Sequence, residues 1–325
     1  MSGFVTQAEF EATQKIVYRH INPTLQHVWP ILADEMGCEL WVKHENHTPL
    51  GAFKMRGGLV YMHAHAQAGL GNGVITASTG NHGQSIPYAA AQHDIPSVVV
   101  VPRNNPRDKN NAIRALGAEL VEVGHDFDES KVTAEQLAQS RDLHMVPSFH
   151  RTLVQGVSTY AHELFSEAGE LDAVYVPIGL GSGICGVMAA RDLLGLRTKV
   201  IGVVSEQANA YRLSVQAGKP VAINAANSFA EGIAVRAPHP EALAAIMAGA
   251  ERVIEVSEDM IAEAIRALFR ATHNVAEGAG AAALAGLMSE KAKMANKRIG
   301  VILCGGNIDA HKFADVLRGN TPVPG

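Results

Sequence analysis

The sequence predicts an α/β protein of two lobes, each a mostly parallel sheet flanked by helices, with the functional cleft between them. Three observations predict it. Short β-branched runs alternate with helical patterns from residue 74 onward. Glycine-rich turns lie directly between strand and helix, where open α/β sheets place their ligands. The chain has 325 residues, more than the ~250–300 at which a single core stops growing.

Each element follows from its own pattern. "GVITAS" (73–78) is a β-branched run, and the helical pattern "GNHGQSIPYAAAQHDI" (80–95) follows it. "SVVVVP" (97–102) precedes "RDKNNAIRALG" (107–117), and "AELVEVG" (118–124) precedes a polar helix running through Leu143. A second series begins after "MVPSFHRT" with a helix near residues 154–168. It continues with strand "AVYVPIG" (173–179), helix "GVMAARDLLG" (186–195), strand "KVIGVVSE" (199–206), helix "ANAYRLSVQAG" (208–218) and strand "RIGVILC" (298–304). Strand, helix, strand is the signature of parallel sheets covered on both faces. The expected division is residues 1–50 with 150–325 as the large lobe and 51–149 as the small one.

Composition excludes several function classes. With 47% hydrophobic residues, 18% charged and a net charge of −5, the chain has no electrostatic footprint for nucleic acid. No apolar run approaches the ~18 residues of a membrane span, and "MSGFVTQAEFEATQKI" lacks the charged-then-apolar order of a signal peptide. A cytoplasmic location is the expectation. Cys38, Cys185 and Cys304 are widely spaced and odd in number, which fits reduced thiols better than disulfides or a zinc site.

Chemistry is concentrated in four stretches. "VYVPIGLGSGICG" sets Gly179, Gly181, Gly183 and Gly186 between a strand and a helix, where free amides and the helix dipole favour a phosphate. A helix start that needs tight turns would read the same way. "GSGICG" is also a literal G-x-G-x-x-G, with Glu206 where a ribose-binding carboxylate would stand, so a nicotinamide-dependent oxidoreductase is a rival reading. "TASTGNHGQS" repeats the strand, polar turn, helix design at Ser78, Thr79, Gly80, Asn81 and His82, and offers a second anion such as a carboxylate its amides. "LCGGNID" brings Cys304 and Asn307 to another strand end, and "HTPLGAFKMRGG" sets Lys54 between Phe53 and Met55. A free lysine of pKa ~10.4 is a poor base at neutral pH, and burial between apolar neighbours would lower it.

These four stretches together resemble the fold-type II pyridoxal-phosphate enzymes, a tryptophan synthase β-subunit-like fold, and within them the serine/threonine dehydratases and serine racemases. "GAFKMRGG" is similar to S-F-K-x-R-G, "STGNHGQ" to S-x-G-N-H-x-Q, "PIGLGSGICG" to the family's phosphate loop and "CGGNID" to S-G-G-N. The resemblance implies pyridoxal 5'-phosphate in the cleft, carried by Lys54 as a Schiff base, with Lys54 also the catalytic base for the Cα proton. It implies that Phe53, Asn81, Gly179, Leu180, Gly181, Ser182, Gly183, Glu277 and Cys304 bind the cofactor. Ser78, Thr79, Gly80, Asn81 and His82 would then bind the substrate. The large lobe becomes the cofactor-binding domain and the small one the substrate-binding domain. Glu277 has two readings, a partner near the cofactor ring or a cap for its own helix.

Departures from the family pattern refine the expectation. Cys304 stands where a serine commonly contacts the pyridine nitrogen, and a thiol is a weak donor. A ring nitrogen left unprotonated suits prompt β-elimination, although a simply packed cysteine fits the same position. Thr79 replaces the racemases' proton-donating serine, so racemase activity should be minor. Where metal-dependent members resemble E-P-x-x-A-D-D, this chain reads "EQANAYR", so Arg212 replaces the last ligand; no metal is expected, and Glu206 would pair with Arg212. The chain stops soon after "GGNID", so the regulatory domain of biosynthetic threonine dehydratases is not expected.

The resulting expectation is dehydration and deamination of a β-hydroxy-α-amino acid to a 2-oxo acid and ammonia by a homodimer. β-Replacement is an alternative within the family. In "VPSFHRTLVQGVST", Phe149, His150 and Arg151 stand where dehydratases resemble H-P-F-D-D-P. An aromatic ring and a cation at the cleft edge would favour either an aromatic side chain, by stacking on Phe149, or an acidic one, through Arg151. Of these, threo-3-phenylserine is preferred over L-threonine or L-serine, because the resembling hydroxyaspartate enzymes look metal-dependent. A surface loop without substrate contact is the other reading of that segment.

Overall fold

The computed structural model describes residues 3–69, 72–125 and 127–324. Among them, ten strands form two sheets. In chain order the strands are β1 Gln26–Val28, β2 Glu39–His44, β3 Val74–Ala77, β4 Ser97–Val101, β5 Glu119–Glu122, β6 His144–Met145, β7 Ala173–Pro177, β8 Lys199–Ser205, β9 Arg252–Val256 and β10 Arg298–Leu303. The six-stranded sheet has the order β1-β2-β10-β7-β8-β9, parallel except for the antiparallel edge pair β1 and β2. The four-stranded sheet has the order β5-β4-β3-β6 and is parallel throughout.

Burial explains which strands the periodicity revealed. β3, β4 and β7 are buried at every residue, as strands covered on both faces must be, and they read as continuous apolar runs. β2, β6 and β9 gave no such signal. β2 carries a fully buried Lys43 inside its apolar run, β6 has two residues, and β9 is an edge strand with Arg252 and Glu255 only partly covered.

The helix Lys54–Ala68 crosses the helix Arg151–Ala168 at close range, and glycine makes the approach possible. A Cβ on Gly57 would stand 2.8 Å from the Leu153 carbonyl, and one on Gly156 would collide with the Arg56 carbonyl. Beneath this crossing lies a buried ionic cluster. Arg56 meets Glu45 at 2.8 Å and Glu163 at 2.5 Å, and Lys43 meets Glu163 at 2.5 Å. The cluster anchors the first turn of the helix that begins with Lys54.

The carboxyl ends of the strands define one working edge. β3 runs into the Ser78–Gly80 turn and the helix Asn81–Ala91; β7 runs into the Ile178–Gly181 turn and the helix Ser182–Leu193; β10 ends at Cys304. No described helix is long and apolar enough to cross a membrane.

Candidate active site

Lys54 opens its helix with a partly covered side chain. Its ammonium lies 3.1 Å from the Ser182 hydroxyl and 5.0 Å from the centre of the Phe53 ring. Burial lowers this amine to about 8, with Cys304 acting weakly in the opposite direction. The loop carrying Lys54 is clipped to the end of β10: Phe53 N–H donates to the Cys304 carbonyl at 3.0 Å, Gly306 N–H donates to the Gly51 carbonyl at 2.9 Å, and Ala52 bridges Gly305.

Beneath the amine lies the glycine turn. Gly181 has φ +103, a conformation that favours glycine, and a Cβ there would stand 2.6 Å from that of Ala242. A side chain at Gly179 would strike the Gly232 carbonyl. Tyr211 steadies the turn by donating to the Leu180 carbonyl at 2.9 Å. Ser182 then starts a twelve-residue helix whose free amides and positive end point into the cleft. An anion-accepting turn 3.1 Å from an amine with a lowered pKa fits a cofactor that carries both a phosphate and a carbonyl.

The opposite wall comes from the four-stranded sheet. Ser78 Oγ accepts from Gly83 N–H at 2.9 Å and Gly80 N–H at 3.3 Å, so its oxygen caps its own helix. Thr79 and Gly80 are partly covered. His82 is buried, with no hydrogen-bond partner for Nε2, and burial with the nearby Lys54 charge lowers it to about 3. It is a neutral imidazole at working pH. Asn81 donates to Glu277 Oε1 at 2.6 Å, and burial pushes the Glu277 carboxyl up to about 7. The Glu277 side chain makes no capping bond to its own helix, Gly278–Ser289. Burial and the Glu277 charge raise the Cys304 thiol well above its ordinary value, which keeps it protonated.

Three expectations meet different surroundings. Phe149 is 4% exposed and packs on His239 at 4.4 Å and edge-on to Phe4 at 6.1 Å, within the hydrophobic core. Arg151 is held by Glu9 at 2.8 Å, and His150 caps its helix by accepting from Thr152 N–H at 3.1 Å. Arg212 pairs with Glu255, not with the exposed Glu206. Among the described residues, no group of three or more His, Cys, Asp or Glu is disposed to hold a metal ion.

Other contributors were not assigned a role from the motifs. Tyr160 lies edge-on to Phe53 at 6.0 Å and reaches the Gly183 carbonyl at 3.4 Å. Lys109 pairs with Glu231, which Lys312 also meets at 2.7 Å, close enough to Glu277 to oppose its raised pKa. Asn307 donates to both the Leu50 carbonyl and Asn81 at 2.8 Å. For Asn307 the signal was present, since it closes the quoted "CGGN".

Comparison with known proteins agrees with this geometry. Residues 17–305 match the family described as pyridoxal-phosphate dependent enzyme. An L-threonine ammonia-lyase of Geobacter sulfurreducens is 35% identical over 286 residues, 88% of this chain and 71% of that protein. An L-threo-3-hydroxyaspartate ammonia-lyase of Saccharomyces cerevisiae is 28% identical over 95% of both chains. The fold superimposes on the processed form of threonine deaminase isoform 2 from Solanum lycopersicum with a TM-score of 0.90, at 28% identity, over 98% of this chain and 95% of that one. The chain spans 55% of the length of the bacterial biosynthetic threonine dehydratases that it matches.

Proposed function

The chain belongs to the pyridoxal-phosphate dependent enzymes, and from that premise we propose that it eliminates water from a β-hydroxy-α-amino acid, yielding a 2-oxo acid and ammonia. The observation that carries the reading is the Lys54 amine, lowered to about 8 and 3.1 Å from Ser182 at the start of a glycine-cradled helix. When bound, pyridoxal phosphate supplies an electron sink that acidifies the Cα–H of an attached amino acid. Gly179, Leu180, Gly181, Ser182 and Gly183 are the proposed phosphate cradle. Phe53, Asn81, Glu277 and Cys304 are the proposed partners of the ring.

Lys54 is the group suited to move the Cα proton, because near neutral pH an appreciable fraction of it is the free amine. Ser78, Thr79, Gly80, Asn81 and His82 offer the substrate carboxylate a helix start, whose amides and dipole rather than a cationic His82 would hold it. The Cα proton and the β-hydroxyl leave together as water, and hydrolysis of the resulting enamine gives the 2-oxo acid and ammonia. Positioned proton transfer of this kind contributes ~10²–10⁴ in rate.

L-Threonine and L-serine are the proposed substrates. The relatives' names support threonine, and Phe149, the residue expected to favour threo-3-phenylserine, packs on His239. One screen tests this: ammonia release from L-serine, L-threonine, threo-3-phenylserine and threo-3-hydroxyaspartate by purified protein. Preferred release from phenylserine would reverse the substrate assignment. Borohydride treatment should fix pyridoxyl mass on the peptide containing Lys54, and mass on another lysine would overturn the site. The proposed lobe division, residues 1–50 with 150–325 against 51–149, is testable by limited proteolysis, and the proposed cytoplasmic homodimer by light scattering and cell fractionation.

A further inference from the structure

A backbone carbonyl accepts hydrogen bonds and never donates, and at Leu50 that fact orients two side-chain amides. Asn307, just past β10, places its side-chain nitrogen 2.8 Å from the Leu50 carbonyl, so the group facing Leu50 is the NH2. The same nitrogen lies 2.8 Å from the Asn81 side chain, which must therefore offer its oxygen. Asn81 is then obliged to turn its own NH2 the other way, to Glu277 Oε1 at 2.6 Å. The donors all trace back to Asn307: its NH2 gives one hydrogen to the Leu50 carbonyl and one to Asn81, and Asn81 in turn donates to Glu277. Gly51 completes the seat: a Cβ there would stand 2.6 Å from Asn307 Oδ1, and its φ of +67 favours glycine.

We propose that Asn307 is a positioning residue: it sets the direction of the Asn81 amide, so that Asn81 donates to Glu277, while gripping the loop that carries Lys54. The inference rests on the site assigned above and goes beyond it, because Asn307 acts only through Asn81 and the loop. An amide nitrogen carries two hydrogens; Glu277 takes one, and the other stays on the face of Asn81 turned away from Asn307. Donation from Asn81 favours the ionised Glu277 against its burial. Lys109 acts in the same sense, and Glu231 and Asp309 oppose it, with Cys304 also facing the carboxyl. Reversing the Asn81 amide would present an oxygen to Glu277 and favour the protonated acid.

Asn307→Asp keeps the size and exchanges the donor for an acceptor, so Asn81 should turn its NH2 toward position 307. The measurement is the titration of the Glu277 carboxyl band by infrared difference spectroscopy on the holoenzyme, with Glu277→Gln identifying the band. The midpoint should rise by at least half a pH unit in the aspartate variant, about threefold in proton affinity. Asn307→Ala releases Asn81 without forcing it over and should shift the midpoint in the same direction by less, which keeps the test available if the aspartate variant does not fold. A yellow holoenzyme whose Glu277 midpoint stays in place in both variants, even with a lower melting temperature, would overturn the proposal and leave a structural role only. A wild-type protein that binds no pyridoxal phosphate would instead overturn the functional reading, and the inference with it.

Discussion

Arg56→Met should destabilise the protein far more than the loss of one surface charge. The guanidinium is fully buried and meets Glu45 at 2.8 and 2.9 Å, Glu163 at 2.5 and 3.0 Å, and the Thr159 hydroxyl at 2.9 Å. It shares those two carboxylates with Lys43 as the second cation, so the cluster is balanced while Arg56 is present. Methionine matches much of the volume and leaves two buried carboxylates facing one ammonium. Removing one partner of a buried pair costs about 3–5 kcal/mol. At about 2–4 °C per kcal/mol the melting temperature should fall by roughly 6–20 °C. Urea unfolding followed by circular dichroism gives the free energy directly. Charge balance, rather than shape, is the claimed cause, so the double variant Arg56→Met with Glu45→Gln should regain a good part of the loss. A single variant within 1 kcal/mol of wild type, or a double variant no more stable than the single, would refute the reasoning.

Glu277 ties stability to pH. Its carboxyl is raised from the model-compound value of 4.5 to about 7, so the folded state binds its proton more tightly than the unfolded chain does. The stabilisation is complete below 4.5 and is lost as pH rises toward 7; Glu277→Gln should flatten that part of a plot of unfolding free energy against pH. Chelation by EDTA should leave activity unchanged, because the resemblance puts Arg212, engaged by Glu255, where metal-dependent members have their last ligand, and restoration by Mg²⁺ after a several-fold loss would show otherwise. Phe149→Ala should cost about 3–5 kcal/mol of stability through its packing on His239 and Phe4, without changing the kcat/KM ratio of phenylserine to threonine. A changed ratio would put the ring back beside the substrate.

What could be read in advance was the chemistry set by short segments. The turns at Gly179–Gly183 and Ser78–His82 each follow directly on a strand end, where local sequence decides conformation, while Lys54, farther from any strand, stood out by its own glycine- and proline-flanked motif. The same locality made β3, β4 and β7 visible as unbroken apolar runs. The loop around Phe149 was ambiguous, because a phenylalanine beside a histidine and an arginine looks alike at a cleft edge and in a core. Its neighbours, Phe4 and Glu9 from the amino-terminal segment, come from tertiary packing that the local sequence does not show.

The elements that remained hidden share one physical trait: each draws its partners from distant parts of the chain. Lys43, Glu45, Arg56 and Glu163 carry the signature of solvated surface residues individually, and mutual neutralisation alone lets them lie buried under the Lys54 helix. Asn307 is the sharper instance. It was visible as a letter in a motif, yet its task is set by a carbonyl at Leu50 and an amide at Asn81. Those two groups belong to the two segments that the catalytic reading needs held in register: the loop leading to Lys54 and the helix start opposite it. A residue that joins both must sit at a strand end of the central sheet, and β10, flanked by β2 and β7, is such a strand. Backbone bonds from Cys304 to Gly306 already tie that sheet to the Lys54 loop, and Asn307 adds a side chain that reaches both this loop and Asn81, so its loss should be felt on both walls of the cleft.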